Sequence, residues 1–343
     1  MPAISVVIPS YNHEKYIAQA IQSVLNQSED NLELIVVDDG STDDSLKVIG
    51  GFSDPRLVVI PQENQGAHAA INRGLIAARG EYLAILNSDD VFHAKRLERL
   101  VRTLQKNPDV GIAGSYIQVI DASGNSLGIK HGYRDFDPWT LPHRERSFRN
   151  GEDLRVVQLT ENYWATTSNY VFARKWYEQV GPFRPLRYVH DWDFVLRVGQ
   201  IAKLFMIPEA LISYRVHATN TIKDNRAAMI YEICWILAVH LPQAINTEWF
   251  QAREPFMRCD QLLHSIYVYG CDRVLTLMLL QCLSEKPELA DEILKPDHPF
   301  RASCLDYIQG QLTAPAVVST TQKIERNIKM KLREWMAASG GHP

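Results

Sequence analysis

Apolar residues over the first 106 positions follow two alternating textures. Four short runs, Ile4–Ile8, Leu34–Val37, Leu57–Ile60 and Tyr82–Leu86, are apolar almost throughout and rich in β-branched side chains. Each is followed by a stretch with helical spacing: Glu14–Gln27, Asp43–Phe52, Gly66–Arg79 and Ala94–Lys106. In the first of these, Ile17, Ala20, Ile21, Val24 and Leu25 make one stripe, and Leu97, Leu100, Val101 and Leu104 repeat it in the fourth. Strands with no polar face suit a parallel sheet that helices cover on both sides. The alternation therefore predicts an α/β domain. A strand over Val110–Ile120 leads through a turn at Asp121–Gly124 into a long irregular stretch, Lys130–Glu161, of the kind that shapes a site or a partner surface. A second strand-and-helix region spans Asn169–His217. From about Asp224 only helical stripes remain, at Ala227–His240, Leu262–Cys282 and Lys323–Met336, which places a boundary near residue 222.

Charge and composition narrow the classes. The chain has 343 residues and a net charge of −4, so it lacks the basic field of a nucleic-acid binder. Pro9 and polar residues stop the first apolar run too early for a signal-peptide core, so the mature chain is expected to start here. The longest charge-free apolar stretch, Ile233 to Leu241, is far short of the roughly 20 residues of a membrane span and runs into Pro242. The five cysteines (Cys234, Cys259, Cys271, Cys282, Cys304) are odd in number and form no Cys-x-x-Cys pair, which reads as free thiols in a reducing cytoplasm.

The polar residues at the strand ends carry the candidate chemistry. In an open α/β sheet, ligands sit beyond the carboxyl ends of the parallel strands. Here those ends read Pro9-Ser10-Tyr11-Asn12, Asp38-Asp39-Gly40-Ser41, Asn64-Gln65-Gly66 and Asn87-Ser88-Asp89-Asp90. Any one of these loops is explained by turn formation and helix capping; four feeding one rim point to a ligand. The first loop has no Gly-x-Gly-x-x-Gly, which excludes the dinucleotide cradle. Tyr11 offers a ring for a base to stack on. Asp39 can accept from the imide N–H of uracil, and thymine presents the same edge. Asp89 suits Mg²⁺ or Mn²⁺, which take one or two carboxylates together with substrate phosphates.

The segments VVIPSYNHEKYIAQAIQSVLNQ, LELIVVDDGSTDDS, ENQGAHAAINRGLIAARGEYLAILNSDD and HDWDFVLRV resemble the successive motifs of family 2 glycosyltransferases, over about residues 3–217. The resemblance implies the GT-A nucleotide-sugar-binding fold, a mostly parallel sheet with helices on both faces, followed here by a helical extension. The division it implies is a GT-A domain over 1–222, with a nucleotide-binding part to about 120 and an acceptor-side part beyond it, and an extension over 223–343. It also implies an inverting transferase that uses a divalent metal and a nucleoside-diphosphate sugar, UDP by default. The acceptor implied is a saccharide or lipid-linked hydroxyl in surface polysaccharide or lipopolysaccharide synthesis.

Matched position by position, Pro9, Tyr11 and Asp39 fall on the family's nucleoside pocket, with Asp38 beside it, and Asn64 and Gly66 belong to the same rim. Asn87, Ser88 and Asp89 fall on its Asp-x-Asp metal motif, and Asp191 on its general base, with Asp193 as rival. Two departures stand out: Asn87 replaces the first Asp, so Asn87→Asp is expected to tighten metal binding, and His190 precedes the base where many members have Glu. The Tyr214-Arg215-Val216-His217 ending resembles others in the family, with Arg215 expected on the diphosphate and His217 on the metal. Trp164, Thr167, Ser168 and Asn169 are expected on the acceptor side.

Two rival readings are a nucleotidyltransferase, disfavoured by the absence of a Gly-rich basic first loop, and a silent nucleotide- or carbohydrate-binding module, disfavoured by retention of Asp191. The apolar C-terminal helices are expected to pack on the catalytic domain or a second copy. Lys323, Arg326, Lys329, Lys331 and Arg333 suggest instead a peripheral contact with the inner face of a membrane.

Overall fold

The computed structural model describes residues 2–131, 135–136, 139–140, 158–160, 162–217, 225–245, 266, 268, 270–282 and 289–313. The sheet is built around β1 (Ile4–Ser10), with β2 (Leu32–Asp38) and then β3 (Leu57–Pro61) parallel on one side and β4 (Tyr82–Ile85) parallel on the other. Beyond β4 come β10 (Val171–Ala173), β6 (Val110–Ile120), β11 (Lys203–Arg215) and β5 (Val91–Phe92), while β7 (Ser126–Lys130) forms a hairpin on β6. A separate ribbon pairs β8 (Asp135–Phe136) with β9 (Trp139–Thr140). The sheet is mostly parallel, as the apolar runs predict. The exceptions are β10, antiparallel to both its neighbours, and the β5 and β7 edges. The three-residue β10 segment fills the space between β4 and β6, which a local pattern of three apolar residues cannot reveal.

The unbroken apolar runs divide their side chains between two cores, because successive residues of a strand face opposite ways. Val7, Ile35 and Val37 pack on one side with α3 (Ala67–Ala77), while Val6, Ile8, Leu34 and Val36 pack on the other with α1 (Ile17–Leu25) and α4 (Arg96–Lys106). The approach of α3 is close: a Cβ on Gly74 would lie 2.3 Å from Val7 Cγ1. A short helix, α2 (Ser45–Ile49), follows β2. Further on come α5 (Arg174–Val180) and α6 (His190–Ile201).

The helical extension contributes α7 (Arg226–Ile245), α8 (Asp272–Cys282), α9 (Leu289–Glu292) and α10 (Pro299–Thr313). Ile230, Ile233, Trp235 and Leu237 of α7, with Val274 and Leu275 of α8, join the same core as Val7 and Trp192. These faces are covered by the chain itself, while Leu277 and Leu280 stay exposed. Of the helix expected over Leu262–Cys282, the described part is α8 from Asp272, and Gly270 just before it takes a φ of 77°, which a helix does not allow. Cys234, Cys271 and Cys304 are buried thiols. No described helix is long and apolar enough to cross a membrane. The boundary near residue 222, most of Lys130–Glu161, Cys259 and the basic segment Lys323–Met336 lie outside the described residues.

Candidate active site

Pairing of β1 with β4 ends at Val7 and Ile85, and beyond it the two strands part. Leu86 N–H still donates to the Val7 carbonyl, and Pro9, two residues on, turns its missing N–H towards the gap where no partner is needed. The strand order reverses at this point, which is where open sheets form a crevice. Tyr11 stands at its rim, 45% exposed.

The first two strand-end loops are tied to each other. Asn12, at φ 53°, accepts from Thr42 N–H (2.8 Å) and donates its own N–H to Ser41 Oγ (3.0 Å). Glu14 accepts from Asp44 N–H, and Asp43 accepts from Glu14 N–H, each at 3.0 Å. Asp38 is fully buried and closes its own turn, accepting from the Ser41 N–H and hydroxyl. Asp39 organises the third loop, accepting from Gln62 Nε2 (2.7 Å), Gln65 N–H (2.9 Å) and Gly66 N–H (2.8 Å). A carboxylate has about four acceptor sites, so three bonds leave one for a ligand N–H. Gly66 needs its φ of 90° to offer that N–H, and Asn64 is exposed, with its backbone packed against Gly40.

The fourth loop is held from outside its own sequence. Asn87 donates N–H to Ser168 Oγ (2.8 Å) and Nδ2 to Thr166 Oγ1 (3.0 Å), and its Oδ1 accepts from Thr167 Oγ1 (2.8 Å). Its amide is thus turned into the chain. An Asp at this position could keep both threonine contacts only by accepting from the Thr166 hydroxyl as well as from Thr167. Asp90 is fully buried, accepts from Ser168 Oγ (2.6 Å) and Arg215 N–H (2.9 Å), and is raised well above the ordinary carboxylate range by burial and by the neighbouring Asp89 charge. Nearby, the buried guanidinium of Arg96 reaches Ser115, Ser168 and Asn169, and burial lowers it to about 9 against the pull of Asp90.

Arg215 has a different task from the one expected. It is buried, and donates Nε to the Asp89 carbonyl (2.8 Å), Nη1 to the carbonyls of Asp121 and Ala122, and Nη2 to Gln19 Oε1 (2.6 Å). These bonds direct its fork onto the chain, where it clamps the Asp89 loop.

The Asp89 side chain faces His217, with Oδ2 and Nε2 2.9 Å apart. Two ligands each about 2.1 Å from one cation and at right angles lie about 3.0 Å apart, so this pair has the spacing of adjacent metal ligands. His13, which leads into α1, completes the group: one ligand atom each from His13, Asp89 and His217 lie within 4.8 Å of one another. The oxygen and nitrogen donors are of the kinds a divalent cation takes, and they are grouped closely enough to converge on one. Ser88 Oγ lies 2.6 Å from His13 Nδ1. Burial lowers the pKa of His13, opposed by Asp89 and reinforced by His217, which favours the neutral ring a metal ligand needs. Sequence reasoning missed His13; the available signal was a histidine four residues past Pro9, in a loop already suspected of binding a ligand.

Asp191 lies in the first turn of α6, 8% exposed. It accepts from Trp192 N–H (2.7 Å) and from Asn162 Nδ2 (3.0 Å), and Tyr170 OH donates to its carbonyl. Burial raises its pKa, against the His190 charge and these bonds. Asp193 is placed otherwise: fully buried, it meets Arg184 (2.9 Å), Arg197 (2.9 Å) and His240 (3.0 Å), and against the cost of burial these partners hold it at about 2. It is a tie between α6 and α7. His190 is half-buried, its Nδ1 3.2 Å from the Leu186 carbonyl and its ring edge-on to Phe183.

One loop joins the two halves of the site. Asn162 holds Asp191, while Thr166, Thr167 and Ser168 hold Asn87 and Asp90, with Ala165 at a φ of 64° between them. Trp164, Thr167, Ser168 and Asn169 are all buried, forming a frame behind the site where an acceptor-facing surface was expected. Neither Asn162 nor Thr166 was legible as part of it.

Comparison with known proteins bears on the family and the fold. The profile described as Glycosyl transferase family 2 matches residues 5–181, more than half of the chain. An uncharacterized glycosyltransferase of Nostoc sp. is 33% identical over 225 residues, covering 63% of this chain and 66% of the relative. The chain thus spans about two thirds of that relative's length. Chondroitin synthase of Escherichia coli is 28% identical over 223 residues, 64% of this chain and 30% of its own length. Among solved structures, S. aureus TarS 1–349 in complex with UDP is similar in fold, with a TM-score of 0.54 at 18% identity over 91% of this chain and 90% of that one. The sheet is of the GT-A kind, and the chain belongs to glycosyl transferase family 2.

Proposed function

We propose that this protein is an inverting glycosyltransferase that moves a sugar from a nucleoside-diphosphate sugar, UDP-linked, to a hydroxyl of a saccharide or lipid-linked acceptor. The observation that carries the reading is the single loop, 162–169, that braces both Asp191 and the Asp89 loop with its His217 partner. Tyr11 and the remaining acceptor site of Asp39 suit a uracil ring, and the UDP complex of TarS supports that nucleotide. Asp89 and His217 would hold a divalent cation, Mn²⁺ or Mg²⁺, whose part is to neutralise charge growing on the departing diphosphate. Asp191 takes the acceptor proton as the hydroxyl attacks the anomeric carbon, a contribution typically of about 10²–10⁴ in rate. One displacement inverts the configuration without a covalent intermediate.

The reading includes a GT-A domain over 1–222 with a helical extension over 223–343, and a place at the cytoplasmic side of surface polysaccharide or lipopolysaccharide synthesis. The test is a donor screen read as released nucleotide, with Asp191→Asn alongside. The variant is expected to lose at least about 10²-fold in turnover with unchanged nucleotide affinity. Turnover near wild type removes Asp191 from the base role. Nucleotide binding without release from any donor favours the silent module instead.

A further inference from the structure

A cation held by Asp89 and His217 alone would have two protein ligands, because the Asn87 amide is turned towards Thr166 and Thr167. His13 stands beside that pair, with one ligand atom of each of the three residues within 4.8 Å of the others. Its ring is edge-on to His217, with centroids 5.8 Å apart at 89°, and edge-on to Tyr16 at 6.0 Å. The Ser88 hydroxyl on Nδ1 fixes the ring plane, as partners one shell out from a metal orient its ligands. The backbone is held as well, His13 N–H donating to Ser45 Oγ at 3.0 Å.

We infer that His13 is a third protein ligand of the cation, standing in for the carboxylate that Asn87 replaces and giving a set of two imidazoles and one carboxylate. The inference rests on the reading that a cation sits at Asp89 and His217, and it adds a consequence for metal choice. Mg²⁺ keeps to oxygen ligands and gives up its waters reluctantly, whereas imidazole suits the transition metals and Zn²⁺. Exchanging a carboxylate for an imidazole therefore moves the site away from Mg²⁺ and towards Mn²⁺, Co²⁺ and Zn²⁺. It also lowers the negative charge facing the diphosphate by one unit, so a neutral ring supplies coordination without repelling the leaving group.

The test counts nitrogen on the metal. Full-length protein with ¹⁵N-labelled histidine is loaded with Mn²⁺, and directly bound imidazole is counted by electron spin-echo spectroscopy, which needs no variant. Two bound imidazoles are expected in the wild type and one in His13→Gln. Mn²⁺ affinity measured by calorimetry should fall in His13→Gln by at least the roughly 10-fold that losing an outer-shell partner costs, and the preference for Mn²⁺ over Mg²⁺ should shrink. One bound imidazole in the wild type, with His13→Gln binding Mn²⁺ as tightly, overturns the inference and leaves the Asp89–His217 reading standing. No bound imidazole and no Mn²⁺ affinity in the folded wild type overturns both.

Discussion

Glu232 lies on α7, outside every strand-end loop, yet its removal should disturb Asp191. Its carboxylate is 3% exposed and accepts from Arg187 N–H (3.0 Å) and Tyr188 N–H (2.7 Å), in the turn that leads directly into α6 and Asp191. Glu232→Ala takes this buried acceptor away from both N–H groups. A donor deprived in this way costs about 1–3 kcal/mol, and the part-buried turn admits some water, so about 2–4 kcal/mol in total is expected. That is a large share of a typical folding stability of about 5–15 kcal/mol. Glu232→Gln keeps one acceptor oxygen and should lose about half as much. Urea unfolding followed by tryptophan fluorescence measures the first effect, since Trp192 and Trp235 both sit in the affected core. Initial rates of transfer measure the second: turnover should fall in Glu232→Ala while nucleotide affinity, which the proposed reading assigns to the loops after β1 to β3, holds. If both variants unfold within about 0.5 kcal/mol of wild type, the level of an ordinary surface change, the clamp contributes nothing and the reasoning fails.

In the proposed mechanism the pH dependence of turnover follows from Asp191, which must be ionised to take a proton. Burial raises its pKa, so the rate should climb with pH through a midpoint above the ordinary carboxylate range; Asn162→Ala removes a bond that lowers it and should move that limb to higher pH. A profile of turnover against pH that is identical in the variant removes Asn162 from that role. Asp193→Asn should act on stability, since it strips the charge from a buried cluster with Arg184, Arg197 and His240. A loss of about 3–5 kcal/mol in denaturant unfolding is expected; full stability with turnover abolished would make Asp193 the base after all.

Much of the architecture was determined by the sequence alone, because it rests on local pattern. Runs such as Ile4–Ile8 and Leu34–Val37 have to be buried on both faces, and stripes such as Ile17, Ala20, Ile21 and Val24 have to meet them, whatever else the chain does. The same holds for polar residues at the ends of those runs, which is why Tyr11, Asp39 and Asp89 could be picked out from one contiguous motif each. What the tertiary structure decided is which side chains share an environment. Asp89 and His217 are 128 positions apart, and Glu232 reaches a turn 44 positions upstream. The antiparallel entry of β10 beside β4 is what brings Thr166, Thr167 and Ser168 to the Asn87 loop. Side-chain direction is also a tertiary matter: Arg215 turns to the backbone of its own site, and Asn87 away from it, because the nearest unsatisfied donors and acceptors lie there. A hydrogen bond is settled by distance and angle over about 3 Å, and no pattern along the chain encodes the distance between segments that the fold alone brings together.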